Sequence, residues 1–205
     1  MRIIVFGATG KTGRHVVTAA LERGHQVTAF GRSVDRIDIN DDALHVHTGD
    51  ALDPESVSSA VAGHEGAIVC LGSTGLGDKT TLAAGTKNVV DAMLKHGTDR
   101  LVVLSAAGVD DSWKQIPWSS RLLFRTMLRN VFADHQAQEA LVRQSPLDWT
   151  IVRAAVLKDE PAAGTYIASN TAKTGKINRA DVAACLVDQI DDPTYSRQAI
   201  SVTAG

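Results

Sequence analysis

Apolar and polar residues follow two alternating patterns along the chain. Short runs rich in apolar residues have the length of strands, and they lie at residues 2–6, 26–30, 44–48, 66–71, 100–104, 149–153 and 199–202. Between them, apolar residues recur at helical spacing in the segments 11–23, 54–62, 80–96, 118–144 and 179–191. Apolar strands that alternate with helices predict a doubly wound α/β fold, in which helices cover both faces of a parallel sheet.

Two longer segments without either pattern follow the ends of predicted strands, at residues 105–117 and 154–178. Open α/β sheets bind their ligands beside the carboxyl ends of the strands. We therefore expect these segments to form the walls of a substrate site. No linker or repeat divides the chain, so a single domain is predicted over residues 1–205.

Composition and charge argue against several classes of function. The 205 residues, 44% of them hydrophobic, suit one globular domain, and a net charge of −2 gives no reason to expect nucleic-acid binding. No apolar run approaches the ~18 residues of a membrane helix, and the first strand follows Met1 directly, so a cytoplasmic protein without a signal peptide is expected. Cys70 and Cys185 are expected to be buried free thiols, and no cysteine or histidine spacing indicates a metal site.

A glycine-rich turn at residues 7–13 joins the first predicted strand to the first predicted helix. Gly7 permits the tight turn, Gly10 lets a diphosphate approach the backbone, and Gly13 lets the helix pack close to the strand. A nucleoside triphosphatase loop would need glycine five residues before Gly10, where the chain has Val5. The context favours dinucleotide binding over a turn that only packs a helix. The predicted diphosphate-binding residues are Gly7, Thr9, Gly10, Lys11, Thr12 and Gly13.

Basic residues follow the second predicted strand, where a fold that prefers NAD usually carries an acidic residue. Arg32, Ser33 and Arg36 occupy this stretch. A guanidinium pairs with a 2′-phosphate, whereas a carboxylate would repel it, so NADP(H) is predicted as the cofactor in preference to NAD(H). The alternative is that both arginines are solvated surface charges.

Two further strand ends are expected to contact the dinucleotide. After the third strand, Asp50 would accept a hydrogen bond from the adenine amino group and Ala51 would contact the ring. The alternative for Asp50 is a cap of the helix that begins near Pro54, and both roles stay open. After the fourth strand, small residues leave room for the ribose and diphosphate, in the stretch Leu71, Gly72 and Ser73.

Four motifs together carry a family resemblance: residues 7–13, Gly31-Arg32, Gly49-Asp50 and 147–153. They resemble the atypical short-chain dehydrogenase/reductases with an NAD(P)H-binding domain, and within these the flavin reductase and biliverdin-IXβ reductase group. The resemblance implies a Rossmann-like fold, NADPH as cofactor, and the reduction of flavins or linear tetrapyrroles. It also implies that Arg153 belongs to the cofactor site, that Ser105 lies near the nicotinamide, and that His135 lies near the substrate.

The chain departs from the family at its proton donors. Classical members use a tyrosine followed four residues later by lysine, but Asn170 and Ala199 follow Tyr166 and Tyr195 at that spacing. Ser105 is followed by alanine rather than a second hydroxyl residue, and no histidine follows the sixth strand. These departures argue against alcohol–ketone chemistry and put biliverdin reduction in doubt.

Hydride transfer to a planar acceptor is compatible with this residue set, because the reduced ring of a flavin or quinone can take its proton from water. Ser105 would bind the nicotinamide amide or the acceptor, or alternatively satisfy the backbone at its strand end. His135 is the best general-acid candidate, since imidazole titrates near neutral pH, and the alternative is a histidine that packs on its helix. Ser105 and His135 are therefore the candidate catalytic residues.

Two predicted helices carry basic residues outside these motifs. Residues 113–132 combine apolar and aromatic positions with Arg121, Arg125 and Arg129 at helical spacing. An amphipathic helix with a basic solvated face is favoured; the alternative is a lid whose aromatic residues meet a planar ligand. For the helix that starts at Arg179 we expect a structural role only.

The sequence therefore predicts an NADPH-dependent oxidoreductase that transfers hydride to a small planar acceptor: a flavin, or a quinone or linear tetrapyrrole. The alternative is a non-catalytic NADP(H)-binding redox sensor, as among nitrogen-metabolite-repressor-like relatives. A nucleotide-sugar epimerase or dehydratase is disfavoured because the tyrosine–lysine pair is missing. No nucleic-acid or membrane partner is expected, and the protein is predicted to be a monomer or homodimer.

Overall fold

The computed structural model describes residues 1–73, 75, 77–78, 80–109, 129–154, 156–171 and 175–205. Within these ranges the strands are β1 (Arg2–Phe6), β2 (Gln26–Gly31), β3 (Leu44–Thr48), β4 (Gly66–Val69), β5 (Arg100–Ala106), β6 (Asp148–Ala154), β7 (Val156–Lys158), β8 (Tyr166–Ser169), β9 (Lys176–Asn178) and β10 (Gln198–Ala204). The helices are α1 (Lys11–Glu22), α2 (Pro54–Val61), α3 (Thr81–His96), α4 (Arg129–Gln144) and α5 (Arg179–Asp191), with short 3-10 helices at Val34–Arg36 and Pro193–Tyr195.

An eight-stranded sheet in the order β3-β2-β1-β4-β5-β6-β10-β8 forms the centre of the fold, and β7 pairs with β9 in a second, two-stranded sheet. Strands β1 to β6 and β10 run parallel to one another in the large sheet. At one edge, β8 pairs antiparallel with β10. This arrangement confirms the predicted Rossmann-like α/β fold, with an antiparallel edge strand that the sequence pattern does not predict.

Segment 154–178 differs from its prediction as an irregular loop, because it contains β7, β8 and β9. These strands are three or four residues long, and most of their residues are exposed or half-buried. They therefore lack the continuous apolar run that identifies the longer strands. Residues 110–128 lie outside the described ranges, so most of the predicted helix or lid at 113–132 and most of the predicted wall at 105–117 lie outside them too.

Two apolar layers cover the large sheet, because successive side chains of a strand point to opposite faces. In β1, Ile3 and Val5 pack with residues of α1 and α5, whereas Ile4 and Phe6 pack with residues of α2, α3 and α4. All four side chains are fully buried. Burial on both faces explains why β1 is apolar at successive positions. Among the described helices, none combines the length and the apolar character that crossing a membrane requires.

Candidate cofactor and acceptor site

A cavity of about 460 Å³ opens at the carboxyl ends of β1, β2, β4 and β5. Strands β1 and β4 are neighbours where the strand order reverses, which is the place where doubly wound folds bind dinucleotides. Many of the predicted site residues line this cavity: Gly7, Thr9, Gly10, Lys11, Thr12, Arg32, Asp50, Ala51, Leu71, Gly72, Ser105 and His135. Of the described residues, the following predicted members lie outside the lining: Gly13, Ser33, Arg36, Ser73 and Arg153.

At two positions of the turn, neighbouring backbone atoms lie so close that only glycine fits. Gly7 has a φ of +78°, and a Cβ on it would lie 2.5 Å from the carbonyl oxygen of Cys70 at the end of β4. A Cβ on Gly13 would lie 2.2 Å from the carbonyl oxygen of Gly7. Both contacts are with backbone atoms, which have little room to move. Gly13 therefore serves the close packing of α1 against the turn, while Gly7 lies at the cavity wall.

The turn delivers the start of α1 to the cavity without a side-chain cap. Gly10 is the N-cap residue in an extended conformation, and within the described part of the chain no side chain caps the first turn of α1. An uncapped helix start keeps N–H donors and a positive dipole end available to an anion. Lys11 and Thr12, the first two residues of the helix, line the cavity beside it. The local geometry is therefore suited to a phosphate group.

Arg32 is the first residue after β2 and is exposed at the cavity wall. Among the described residues, neither Arg32 nor Arg36 forms a hydrogen bond or ion pair through its side chain, so both guanidinium groups remain available. Arg36 ends the short helix at Val34–Arg36, which starts after Ser33, and neither Ser33 nor Arg36 reaches the lining. Arg32 is thus the better placed of the two arginines for a ligand phosphate.

The sequence leaves open whether Asp50 contacts adenine or caps the helix that begins near Pro54. In the structure, the capping role belongs to Asp53. The Asp53 carboxylate caps α2 by accepting a hydrogen bond from the N–H of Glu55 at 3.0 Å. Asp50 instead accepts from the N–H of Leu52 at 3.0 Å, which stabilises the turn before α2, and it lines the cavity. The capping alternative for Asp50 is therefore wrong, and its contact with adenine stays a prediction.

Ser105 lies at the end of β5 and its hydroxyl is bound to a buried ion pair. Its Oγ donates to Glu139 Oε1 at 2.8 Å, and Arg153 donates to the two oxygens of the same carboxylate at 2.9 and 2.6 Å. Side chains of Glu139 and Arg153 are only 2% and 3% exposed. The Arg153 guanidinium is thus bound to Glu139 and lies outside the cavity lining. Because an ionised carboxylate only accepts hydrogen bonds, Ser105 presents its lone pairs, and no proton, to the cavity.

His135 lines the cavity from α4 and is held in a neutral form. Its Nδ1 lies 3.3 Å from Gln138 Oε1, while the Gln138 amide nitrogen donates to Thr86 Oγ1 at 2.8 Å. Burial lowers the pKa of His135 below its usual value, against the opposing effects of Gln138, Glu139 and Asp134. With Nδ1–H donating to Gln138, Nε2 is left as an acceptor. At neutral pH, Nε2 of His135 therefore carries no proton. The ring can act as an acid there only after Nε2 has been transiently protonated.

The helix that carries His135 is fixed to α3 by the neighbouring residue. Asp134 is 1% exposed, and its carboxylate accepts hydrogen bonds from the N–H groups of Leu82 at 2.8 Å and Ala83 at 3.0 Å. These groups belong to the first turn of α3, whose own N-cap, Thr80, provides no side-chain bond. Asp134 thus caps a different helix from its own and positions α4 at the cavity.

Eight lining residues belong neither to the predicted site residues nor to the predicted walls: Phe30, Gly31, Gly49, Leu52, Cys70, Thr81, Leu104 and Arg179. Three other lining residues, Ala106, Ala154 and Leu157, lie within the segments 105–117 and 154–178 that are expected to form the walls of the substrate site. Many of the eight are at the carboxyl ends of predicted strands, so the rule that ligands bind there would have found them. Arg179 lies at the start of α5, and no motif identifies it. Arg179, expected to be structural only, lies at the cavity wall beside Thr12, to which its Nη1 donates at 3.3 Å.

Comparisons with known proteins agree with this geometry. An uncharacterized sugar epimerase of Bacillus subtilis is 24% identical over 218 residues, which span 100% of this chain and 95% of that protein. The anaerobillin reductase ChuY from Escherichia coli O157:H7 has a similar structure, with a TM-score of 0.80 and 25% identity over 100% of this chain and 97% of its own. A short-chain dehydrogenase/reductase from Veillonella parvula, solved in complex with NADP, has a TM-score of 0.81 and 21% identity over 98% of this chain and 93% of its own.

The family model described as NAD(P)H-binding matches residues 7–193, which begin at the first glycine of the turn and include α5. This match covers most of the chain and confirms both the dinucleotide cofactor and the family resemblance inferred from the glycine motif. The cavity, the uncapped start of α1 and the steric need for Gly7 and Gly13 fit such a cofactor. The chain belongs to the NAD(P)H-binding family.

Proposed function

We propose that this protein is an NADPH-dependent reductase that transfers hydride to a small planar acceptor such as a flavin. The observation that carries the proposal is a single cavity in which the glycine turn and Arg32 share one space with Ser105 and His135. A dinucleotide held at the turn has its acceptor end within the same cavity. The similarity to a reductase, at 25% identity over the whole chain, supports this reaction class.

The preference for NADPH over NADH rests on Arg32. Its guanidinium lines the cavity and lacks a partner among the described residues, so it is available for a 2′-phosphate. Arg32 and Ser33 directly follow β2, where NAD-specific folds carry an acidic residue for the ribose hydroxyls. The nearest acidic residue after the strand, Asp35, does not line the cavity. Ser33, Arg36 and Arg153 are further from this role, because they do not reach the lining.

The residues near the acceptor end hold and orient rather than supply a proton. When bound, the reduced nicotinamide supplies the hydride. Ser105 accepts a hydrogen bond from an N–H group of the nicotinamide amide or of the acceptor, because its own proton is bound to Glu139. His135 offers Nε2 as a second acceptor. A flavin or quinone suits this set, since water can protonate the reduced ring.

Parallel assays of NADPH oxidation, followed by the nicotinamide absorbance, test the reductase proposal with FMN, riboflavin, a quinone and biliverdin as acceptors. Turnover with flavin and NADPH is the expected result. Arg32→Ala should lower the ratio of NADPH to NADH turnover, whereas Arg14→Ala should leave it unchanged, because Arg14 is an exposed arginine of α1 outside the cavity lining. An unchanged ratio in Arg32→Ala would contradict the assignment of the 2′-phosphate to this residue.

A non-catalytic NADP(H) sensor is the second candidate function. The specific observation in its favour is the acceptor end of the cavity, where Ser105 has its proton bound to Glu139 and the pKa of His135 is lowered by burial. Such a site binds the cofactor without a strong acid for chemistry. Tight NADPH binding with no oxidation in any of the assays would favour the sensor over the reductase.

A further inference from the structure

Two ion pairs that share one carboxylate connect the start of α1 to the start of α5. The Asp159 carboxylate accepts from Lys11 Nζ through one oxygen and from Arg179 Nε through the other, both at 2.6 Å. Arg179 also donates from Nη1 to Thr12 Oγ1 at 3.3 Å. Lys11, Thr12 and Arg179 line the cavity. The two cations therefore flank the uncapped helix start, and an anionic side chain bridges them.

The backbone that carries Asp159 is fixed on both sides. It directly follows β7, which pairs with β9. Beyond it, the carbonyl oxygen of Pro161 accepts from Asn178 Nδ2 at 2.9 Å. The N–H groups of residues 163 and 164 donate to the carboxylate of Asp181 at 3.0 Å each, and Asp181 is 2% exposed. Asp159 is thus directed at the two cations by a held segment, and its side chain can turn away while the backbone stays in place.

We propose that Arg179 is a cofactor-binding residue, that it and Lys11 bind the diphosphate of NAD(P)H, and that Asp159 is an internal anion that the diphosphate displaces. The two oxygens of Asp159 bridge the cations in the free protein, as the two phosphates do in the complex. This role depends on dinucleotide binding and not on turnover, so it stands or falls separately from the reductase reaction.

The relative exposure of the three side chains sets the expected size of the effect. Lys11 and Asp159 are 71% and 55% exposed, and Arg179 is 21% exposed. Exposed ion pairs contribute little free energy. Each pair that the diphosphate must break should therefore change the affinity for NADPH by about two- to fivefold. Hydrogen bonds to Lys11 and then to Arg179 hold the pKa of Asp159 below its usual range, so the carboxylate is charged at neutral pH. A diphosphate, with more negative charge, replaces it at a modest cost.

Titration of NADPH by calorimetry into the wild type, three single variants and one double variant tests the proposal. Asp159→Asn should bind NADPH about three- to tenfold more tightly than the wild type, because the competing charge is removed. Glu160→Gln is the matched control: it makes the same charge change on the adjacent residue, which pairs with Lys158 at 3.2 Å, and it should leave the affinity unchanged. Arg179→Gln should weaken NADPH binding and should reduce the gain from Asp159→Asn in the double variant.

A ligand without a diphosphate separates this role from a general change in charge. The affinity for 2′-AMP should be equal in the wild type and Asp159→Asn. Unchanged or weaker NADPH binding by Asp159→Asn would overturn the displacement, and the weaker result would make Asp159 a clasp of the bound cofactor. Wild-type affinity in Arg179→Gln would remove Arg179 from the site. If thermal unfolding shows that Arg179→Gln does not fold, Arg179→Lys, which keeps the charge but loses the Nε contact, replaces it with the same expected direction.

Discussion

Asp134 is expected to contribute more to stability than an ordinary helix cap. Its carboxylate accepts hydrogen bonds from Leu82 and Ala83 at 2.8 and 3.0 Å, and the side chain is fully enclosed between α3 and α4. Asp134→Ala removes both bonds and leaves two N–H groups at a buried helix start. Hydrogen bonds to a charged acceptor contribute about 1.5 kcal/mol each at the low end, so the expected loss is about 3 kcal/mol.

Asp53 provides an internal control within the same chain. It caps its own helix α2 through one bond of 3.0 Å to Glu55 and is exposed to solvent. Asp53→Ala should therefore cost only about 1 kcal/mol, the typical value for a local cap. Asp134→Asn should fall between the two, because its single amide oxygen accepts from one N–H group while its amide nitrogen opposes the other.

Urea unfolding at neutral pH, analysed by linear extrapolation, measures all three variants under the same conditions. For a chain of this size, a loss of about 3 kcal/mol corresponds to a fall in Tm of roughly 6–12 °C. The reasoning is refuted if Asp134→Ala loses no more free energy of unfolding than Asp53→Ala. That result would mean that water or a shifted backbone satisfies the start of α3 without the carboxylate.

Three further predictions concern side chains that are buried or half-buried. Glu139→Gln leaves the buried guanidinium of Arg153 without its carboxylate and should cost about 3–5 kcal/mol in urea unfolding; a loss below about 1 kcal/mol would contradict the ion pair. His64 has a pKa lowered mainly by burial, so the unfolded chain binds its proton more readily and stability falls as the pH drops below about 6.5. His64→Gln should show a smaller loss of unfolding free energy between neutral pH and about pH 5.5 than the wild type does. Burial raises the pKa of Cys70 and Cys185 to about 12, so a thiol-specific disulfide reagent should label neither at mildly alkaline pH until urea unfolds the protein.

The large sheet and the glycine turn could be predicted because their signals are local. A strand buried on both faces, such as β1, is apolar at successive positions, and the steric needs of Gly7 and Gly13 arise within one turn of the chain. The ion pair that holds the Arg153 side chain could not be predicted from such local signals. A motif near the end of β6 places it with the cofactor, but its partner Glu139 is on α4, and only packing of helix against sheet brings them together.

The other contacts of the site could not be predicted, because their residues are far apart in the sequence. Lys11 and Asp159 are 148 positions apart, and Thr12 and Arg179 are 167 apart, so no spacing in the sequence indicates either contact. Asp134 gives a similar case, since an acidic residue within a helix carries no sign that it caps another helix. The strand ends that form the cavity can therefore be located from the sequence, but the side chains that distant elements contribute cannot.

The order of strands in the large sheet has a consequence for the synthesis of the chain. Strand β10 is translated after the other strands of the large sheet, yet it lies inside the sheet, between β6 and β8. Strand β8 emerges from the ribosome earlier, but its neighbour in the sheet is β10. Its backbone N–H and C=O groups therefore lack their sheet partners until residues 198–204 have been made. A nascent chain that has reached β9 therefore exposes the edge of β6 and an unpaired β8 at the same time. Strand β10, seven residues long, closes both at once, so this half of the sheet becomes protected from association with other chains only after residues 198–204 have been made.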